Sequence, residues 1–127
     1  MPRVAALCLG LFMAFPPGLA AAALELVMVE QAGCPWCARW NDEIGPIYPK
    51  TEEGEAAPLR RIDIGELPDG MELEGKVVFT PTFLLVEDGR ELGRIEGYPG
   101  EDFFWGLLAR LLGETPGATL VPQDPPG

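Results

Sequence analysis

Histidine is absent from this chain of 127 residues, and both cysteine and basic residues are scarce. A structural zinc site needs four ligands, commonly cysteine or histidine, and three cysteines without a histidine do not supply them. Nine basic residues against twenty acidic ones give a net charge of −11, and such a surface repels phosphate backbones and anionic membranes. We therefore expect neither structural zinc nor a nucleic-acid partner.

A long apolar run is also missing. The apolar stretch at residues 4–15 is about twelve residues long, too short to span the roughly 30 Å hydrocarbon core of a membrane. It follows the basic residue Arg3 and precedes a proline- and alanine-rich stretch, which is the pattern of a secretory signal peptide. We expect residues 1–23 to be that peptide, so that Cys8 is removed with it and the protein is periplasmic.

Residues 24–113 have the size and patterning of one domain, and the remainder predicts a tail. Residues 114–127 contain four prolines and no periodicity, which is typical of a flexible segment. Within the domain, apolar runs and turn signals predict four strands, at residues 24–30, 59–64, 82–87 and 91–96. The dipeptide Asp88-Gly89 between the last two indicates a β-hairpin.

Helical spacing follows the first strand and closes the domain. Apolar residues recur at Trp40, Ile44, Ile47 and Tyr48, and Gly45-Pro46 is expected to end or kink that helix. A paired apolar stripe from Phe103 to Leu112 predicts a second helix, and a short one is expected around residues 71–74. The order indicates an α/β fold: a parallel βαβ unit, a hairpin and a C-terminal helix.

The motif Cys34-Pro35-Trp36-Cys37 lies between the first strand and the first helix. A thiolate is favoured at a helix N-terminus because unpaired N–H groups and the helix dipole stabilise the anion. We therefore expect Cys34 to be the nucleophile and Cys37, one turn further into the helix, to resolve the mixed disulfide that Cys34 forms. Thiol:disulfide exchange is the predicted reaction, with no cofactor.

Two other interpretations of the cysteine pair remain open. A static clip would stabilise little, because closing a four-residue loop gains only roughly 2 kcal/mol in the chain-entropy model. A non-catalytic copper(I) module could use both thiolates, with Met28 or Met71 as a further soft ligand.

The two tryptophans near the motif have different expected roles. Trp40 shares the core-facing stripe of the helix with Cys37 and Ile44, so we expect it to be buried. Trp36 lies between the thiols in the first turn and should be exposed, where an indole can contact the surface of a partner protein.

The cysteine motif after a buried strand, with Thr80-Pro81-Thr82 opening a later strand, resembles the thioredoxin superfamily. The resemblance covers residues 24–113 and lacks the additional N-terminal strand and helix of full thioredoxins. It implies a thioredoxin-like fold with a central four-stranded mixed sheet flanked by helices. It also implies that Pro81 is a cis-proline facing the active site, with Thr80 and Pro81 contacting an extended substrate segment.

The chain departs from that family at two positions. Thioredoxins carry a buried acid six residues before the nucleophile, where this chain has Met28, so the proton must pass through water, Glu30 or another group. The pair between the cysteines is Pro-Trp, without the histidine of strong oxidants, which favours a reductase. A disulfide oxidase or isomerase remains the alternative.

A narrower resemblance comes from the string Cys-Pro-Trp-Cys-Ala-Arg-Trp followed by Ile47-Tyr48-Pro49-Lys50. It is similar to the small periplasmic thioredoxins associated with bacterial thiosulfate oxidation. This implies a protein thiol or disulfide as substrate, namely the reactive cysteine of a sulfur-carrier protein, and a membrane thiol-transfer protein as electron donor. With no interface signal beyond Trp36, a monomer is expected.

Overall fold

The computed structural model describes residues 14 and 23–115 of the chain. Four strands form one sheet, in chain order β1 (Leu24–Glu30), β2 (Leu59–Asp63), β3 (Thr82–Glu87) and β4 (Arg90–Glu96). Three α-helices accompany it: α1 (Pro35–Glu43), α2 (Glu52–Ala56) and α3 (Glu101–Gly113). Short 3-10 turns lie at Tyr48–Lys50 and Ile64–Glu66.

The spatial order of the strands is β2-β1-β3-β4, and the sheet is mixed. β1 pairs in parallel with β2 and antiparallel with β3, and β3 pairs antiparallel with β4. The hairpin between β3 and β4 turns at Asp88 and Gly89, which have φ angles of 50° and 79° and so suit the tight turn that this dipeptide favours. The predicted α/β fold and its βαβ-plus-hairpin order are confirmed.

One face of the sheet packs on the helices, and we call the cluster there the helix-side core. Trp40 of α1 lies at its centre, with ring centroids 5.2 Å from Phe83 of β3 and 5.7 Å from Phe104 of α3. All three rings are fully buried. Aromatic packing therefore joins α1, the sheet and α3 in one layer.

The opposite face carries a second, smaller cluster, the loop-side core. Its buried residues come from alternate positions of the strands: Val27, Val29, Ile62, Leu84 and Val86. Within the part of the chain that the structure describes, this face is covered by the segment between β2 and β3, through Ile64, Leu67, Met71, Leu73 and Val77. A loop thus takes the place of a covering helix.

The short helices differ from the prediction. No helix forms at residues 71–74; Glu72 forms an isolated β-bridge with Arg90, and the chain bends at Glu74. The unpredicted helix α2 lies before β2 instead. Thr51 caps it, since its hydroxyl accepts a hydrogen bond from the N–H of Gly54 at 3.0 Å. Gly54 permits the fold there, because a Cβ at this position would come within 1.9 Å of the Tyr48 carbonyl oxygen.

Both amphipathic stripes were predicted too broadly. Helix α1 ends at Glu43, ahead of Gly45-Pro46, and Ile47 beyond it is exposed rather than core-facing. In α3, every fourth residue is buried, namely Phe104, Leu108 and Leu112, whereas Phe103 and Leu107 are exposed. The buried face of α3 is narrower than the predicted stripe, so Phe103 and Leu107 remain in solvent, whereas Leu111 packs partly buried against the helix-side core.

The predicted signal peptide and tail lie almost entirely outside the described residues. At the C-terminal end, the last described residue is Thr115, whose hydroxyl donates to the carbonyl of Leu111 at 2.8 Å. None of the helices in the described ranges has the length and apolar character needed to cross a bilayer.

We predict that replacing Phe104 with alanine strongly destabilises the fold, because the ring is fully buried among Trp40 and Phe83. Removing such a ring should lower the free energy of unfolding by about 3–5 kcal/mol. The neighbouring Phe103 is 70% exposed, so Phe103→Ala is the matched control and should change the free energy by less than about 0.5 kcal/mol. Urea denaturation measures both, and equal losses in the two variants would contradict this packing.

Candidate active site

The two cysteines of the motif lie at the N-terminus of α1, just beyond the end of β1. Cys34 is the N-cap of the helix, with an extended backbone, and Pro35 follows at the first helical position, where its missing N–H leaves no partner unsatisfied. Cys34 and Cys37 form a disulfide with their Cα atoms 5.2 Å apart. The N–H of Cys37 donates to Cys34 Sγ at 3.1 Å, so a backbone donor of the helix already points at this sulfur.

Accessibility separates the residues of the motif. Cys34 is half-buried, whereas Cys37 is only 4% exposed and belongs to the helix-side core. Trp36 is 53% exposed and Trp40 is fully buried, as the sequence pattern predicted for both. A reagent from solvent therefore reaches Cys34 before Cys37.

An open cleft of about 620 Å³ borders both cysteines on the β2 side of α1. Glu30 at the end of β1, Asp63 at the end of β2 and Asn41 of α1 also line it. The cleft connects the buried side of the disulfide with solvent and contains two carboxylates.

Arg61 of β2 organises the polar residues of this cleft. Its Nη1 donates to Glu30 at 2.9 Å and to the Asn41 side-chain oxygen at 2.7 Å, and it lies 3.5 Å from the sulfur of Met28. Met28 and Glu30 are two residues apart on one strand, so their side chains share the α1 face of the sheet. Met28 is fully buried and has no acidic group. The carboxylate on this face belongs to Glu30, two residues nearer the end of β1.

Thr80 and Pro81 lie on the other side of the motif, at the start of β3. The Thr80–Pro81 peptide bond is cis, and the carbonyl oxygen of Pro81 accepts a hydrogen bond from the N–H of Gly97 at 2.7 Å. Because Thr82 pairs with Val29 of β1, this loop lies at the end of the sheet from which the cysteine loop leaves. The strand order thus places the motif between the cleft on the β2 side and the Thr80–Pro81 loop on the β3 side.

A polar network supports the exposed Trp36. The guanidinium of Arg39 lies 5.7 Å from the centroid of the Trp36 ring and 5.9 Å from that of Tyr98. Its Nε donates to Glu43 at 2.7 Å, and the hydroxyl of Tyr98 donates to the same carboxylate at 2.5 Å. The network links the first turn of α1 to the residue after Gly97, next to the Pro81 loop.

These contacts shift the pKa values of the groups involved. The hydrogen bond from Arg39 lowers the pKa of Glu43, the bond from Tyr98 adds to this, and partial burial opposes it. Burial raises the pKa of Tyr98, and the hydrogen bond to Glu43 raises it further. The carboxylate is therefore ionised and the phenol protonated at neutral pH.

The proposed soft ligands for copper(I) lie on different faces of the sheet. Met28 is in the helix-side core together with Cys37, whereas Met71 packs in the loop-side core. Met71 therefore cannot join the thiols at a shared metal ion. Among residues 23–115, no group of three or more cysteine and acidic side chains is arranged to hold a metal ion.

Sequence reasoning did not identify the supporting residues Arg61, Glu43 and Tyr98. Arg61 follows from the parallel register, which pairs it with Met28, but that register is not visible before the strands are matched. Glu43 and Tyr98 are 55 positions apart, and no local pattern connects them.

A solved structure with high similarity to this chain is that of the periplasmic thioredoxin SoxS from Paracoccus pantotrophus in its reduced form. The sequences are 58% identical, the match covers 71% of this chain and 96% of SoxS, and the TM-score is 0.69. No protein-family model matches the chain, and neither does any curated protein.

We predict that Arg39→Gln raises the pKa of Glu43 toward its ordinary value near 4.5, because the largest favourable contact of the carboxylate is lost. A pKa that is lower in the folded state stabilises the fold above the unfolded-state pKa, and this stabilisation is lost as the pH falls through the folded-state pKa. Carbon-13 NMR titration of the carboxyl groups measures the midpoint.

The control for this titration is Arg60→Gln, which removes an exposed arginine paired with Glu25 on the sheet. It should leave the midpoint of Glu43 unchanged. An unchanged midpoint in Arg39→Gln would show that Arg39 does not stabilise this carboxylate.

Proposed function

The chain belongs to the thioredoxin superfamily, and on that premise we propose that it reduces protein disulfides in the periplasm through Cys34 and Cys37. It is a thiol:disulfide oxidoreductase, so the proposal concerns the direction of the reaction, the compartment and the substrate. The observation that carries the exchange at these two cysteines is their disulfide, which joins a half-buried sulfur at a helix N-terminus to a buried sulfur behind it.

The reaction proceeds in two exchanges. In the reduced protein, the thiolate of Cys34 attacks one sulfur of the substrate disulfide, forming a mixed disulfide and releasing a substrate thiolate that takes up a proton. The thiolate of Cys37 then attacks Cys34 Sγ, which forms the internal disulfide and releases the second substrate thiol. Two electrons pass from the dithiol to the substrate, and an external dithiol donor restores the reduced protein.

The surroundings support these two roles. The helix N-terminus and the N–H of Cys37 stabilise negative charge on Cys34. Only a thiolate attacks a disulfide, so the proton of Cys37 must be removed before the second exchange. The open cleft offers that proton a way out through water, toward the carboxylate of Glu30.

Substrate contacts are proposed for Trp36, Thr80 and Pro81. The backbone of Thr80 makes no backbone hydrogen bond within the described residues, which leaves it free to pair with an extended substrate segment as an additional strand. The exposed ring of Trp36, which lies beside the guanidinium of Arg39, offers an apolar surface near Cys34.

The periplasmic location and the sulfur-oxidation role rest on the likeness to SoxS, which is described as periplasmic. The resemblance of residues 34–40 to thioredoxins associated with thiosulfate oxidation implies the substrate, which is the oxidised reactive cysteine of a sulfur-carrier protein. A membrane thiol-transfer protein then supplies electrons, and the protein acts as a monomer. The acidic surface, with a net charge of −11, suits an approach to basic partner surfaces.

We predict that Cys37→Ser traps partner proteins and that Cys34→Ser abolishes exchange. Without the second thiol, the mixed disulfide on Cys34 is not resolved and accumulates. The Cys37→Ser protein, incubated with periplasmic extract, should yield adducts on a non-reducing gel that dithiothreitol releases for mass spectrometry.

The matched control is Cys34→Ser, which keeps the buried thiol and should trap nothing. Trp36→Ala in the Cys37→Ser background should reduce the yield of adducts. Absence of any adduct with Cys37→Ser would count against the proposed function.

The direction of the reaction is tested by the reduction potential of the cysteine pair. A value near the roughly −270 mV of thioredoxin supports a reductase, whereas a value near the roughly −120 mV of the strong oxidant DsbA would indicate an oxidase. Equilibration with dithiothreitol buffers, followed by alkylation, measures it.

We predict that the protein purified from the periplasmic fraction begins near Ala23 or Leu24. Removal of residues 1–23 leaves the start of β1 intact, so the fold should be unaffected. Intact-mass measurement detects the cleavage. A full-length chain retained with the membrane fraction would contradict the predicted signal peptide.

A further inference from the structure

The segment between β2 and β3 covers the loop-side core and then runs directly into the Thr80–Pro81 loop. Apolar side chains up to Val77 pack on the sheet. Beyond them, Val78 and Phe79 are 64% and 57% exposed. Thr80, which follows them, is half-buried. The position of this edge, residues 78–80, therefore depends on what holds the segment before it and after it.

A buried ion pair on β4 holds the segment just before the edge. The carboxylate of Glu91 is almost fully buried, and it accepts hydrogen bonds from Arg94 Nε at 2.5 Å and Nη2 at 2.8 Å. The N–H of Glu74 donates to the same carboxylate at 2.6 Å. The Glu91 carboxylate therefore accepts three hydrogen bonds, two from Arg94 and one from the loop backbone.

The arginine in turn binds the loop backbone. Its Nη1 donates to the carbonyl of Lys76 and its Nη2 to the carbonyl of Gly75, each at 3.1 Å. Three successive loop residues are thus held through backbone atoms, which do not depend on the loop side chains. The Glu72 bridge to Arg90 extends the attachment by two further backbone hydrogen bonds, at 2.8 and 2.9 Å.

The edge is anchored on its far side as well. The hydroxyl of Thr82 donates to the carbonyl of Phe79 at 2.6 Å, and Gly97 holds the carbonyl of Pro81. Among the described residues, no backbone hydrogen bond involves Val78 or Thr80. These groups are available to an incoming chain, provided that the two anchors hold the edge in position.

Stability alone does not account for the ion pair. Replacing a buried pair with apolar residues is often neutral or stabilising, and apolar residues would suit the neighbouring loop-side core. What apolar residues could not do is bind three backbone groups in one geometry. The bidentate guanidinium and the carboxylate fix the position of the loop rather than simply covering the sheet.

We propose that the Glu91–Arg94 ion pair is a positioning device that sets the substrate-pairing edge at residues 78–80 and so determines how well a protein disulfide is bound. It acts through the loop and leaves the exchange at Cys34 unaffected. The proposal rests on the proposed function, because it assigns the edge a role in binding protein substrates.

The test uses Arg94→Lys and Glu91→Gln. The lysine keeps the charge but cannot bind Glu91 and two carbonyls in the same fork, and the glutamine keeps the shape but loses the charge. The matched control is Arg60→Gln, since the exposed Arg60 of β2 pairs with Glu25 of β1 rather than with the backbone of residues 74–76. Hydrogen exchange measured by mass spectrometry should accelerate at residues 74–80 in both test variants, with the exchange of β1 and α1 unchanged.

The kinetic measurement compares two substrates, insulin and hydroxyethyl disulfide, with dithiothreitol as the electron donor. In both test variants, KM for insulin should rise roughly threefold to tenfold with kcat nearly unchanged. The rate with hydroxyethyl disulfide and the reduction potential should not change, because a small disulfide does not need the edge. Arg60→Gln should match the wild type in every measurement.

Two results would overturn the proposal: an unchanged KM for insulin, or equal losses with insulin and with the small disulfide. Failure of the proposed function has a different signature, since the wild type itself would then not reduce insulin. In that case, hydrogen exchange still tests whether the ion pair holds the edge, because it does not require turnover.

Discussion

The packing of Trp40 between the sheet and α3 determines where the first turn of α1 lies, and the redox site depends on that turn. The indole contacts Phe83 and Phe104, so the axis of α1 is held against both β3 and α3. Cys34 is the N-cap of this helix and Cys37 lies one turn inside it. The difference in exposure between the two sulfurs therefore follows from the burial of one helix face.

The two faces of the sheet support the site in different ways. The helix-side core holds the cysteines, whereas the loop-side core and the Glu91–Arg94 pair hold the segment that leads to Thr80 and Pro81. The cysteine motif and the Thr80–Pro81 loop lie at the same end of the sheet, because β1 ends where the neighbouring strand β3 begins. This separation keeps the cysteine pair on a helix, while a loop presents the backbone of the edge that we propose pairs with substrate.

Much of the fold could be predicted because the signals are local. The alternation and apolar runs of the strands, the Asp88-Gly89 turn and the cysteine motif before a helix each lie within a few residues. The prediction of a helix at residues 71–74 was wrong because the segment's hydrogen bonds go to β4, through Glu72 and Glu74, and a local pattern does not reveal such partners. Helix α2 has a local cap at Thr51 but is only five residues long, too short for an apolar periodicity to predict it.

The reacting groups of the protein could be predicted from four neighbouring residues, since two thiols separated by Pro-Trp at a helix start define what can react. The groups that surround those thiols depend instead on how distant segments pack. Arg61 meets Glu30 and Asn41, and Tyr98 meets Glu43, across separations of 20 to 55 residues. The physical reason is that a helix N-terminus arises from neighbouring residues, whereas an ion pair or a buried carboxylate is satisfied only when packing brings distant parts of the chain to the same place.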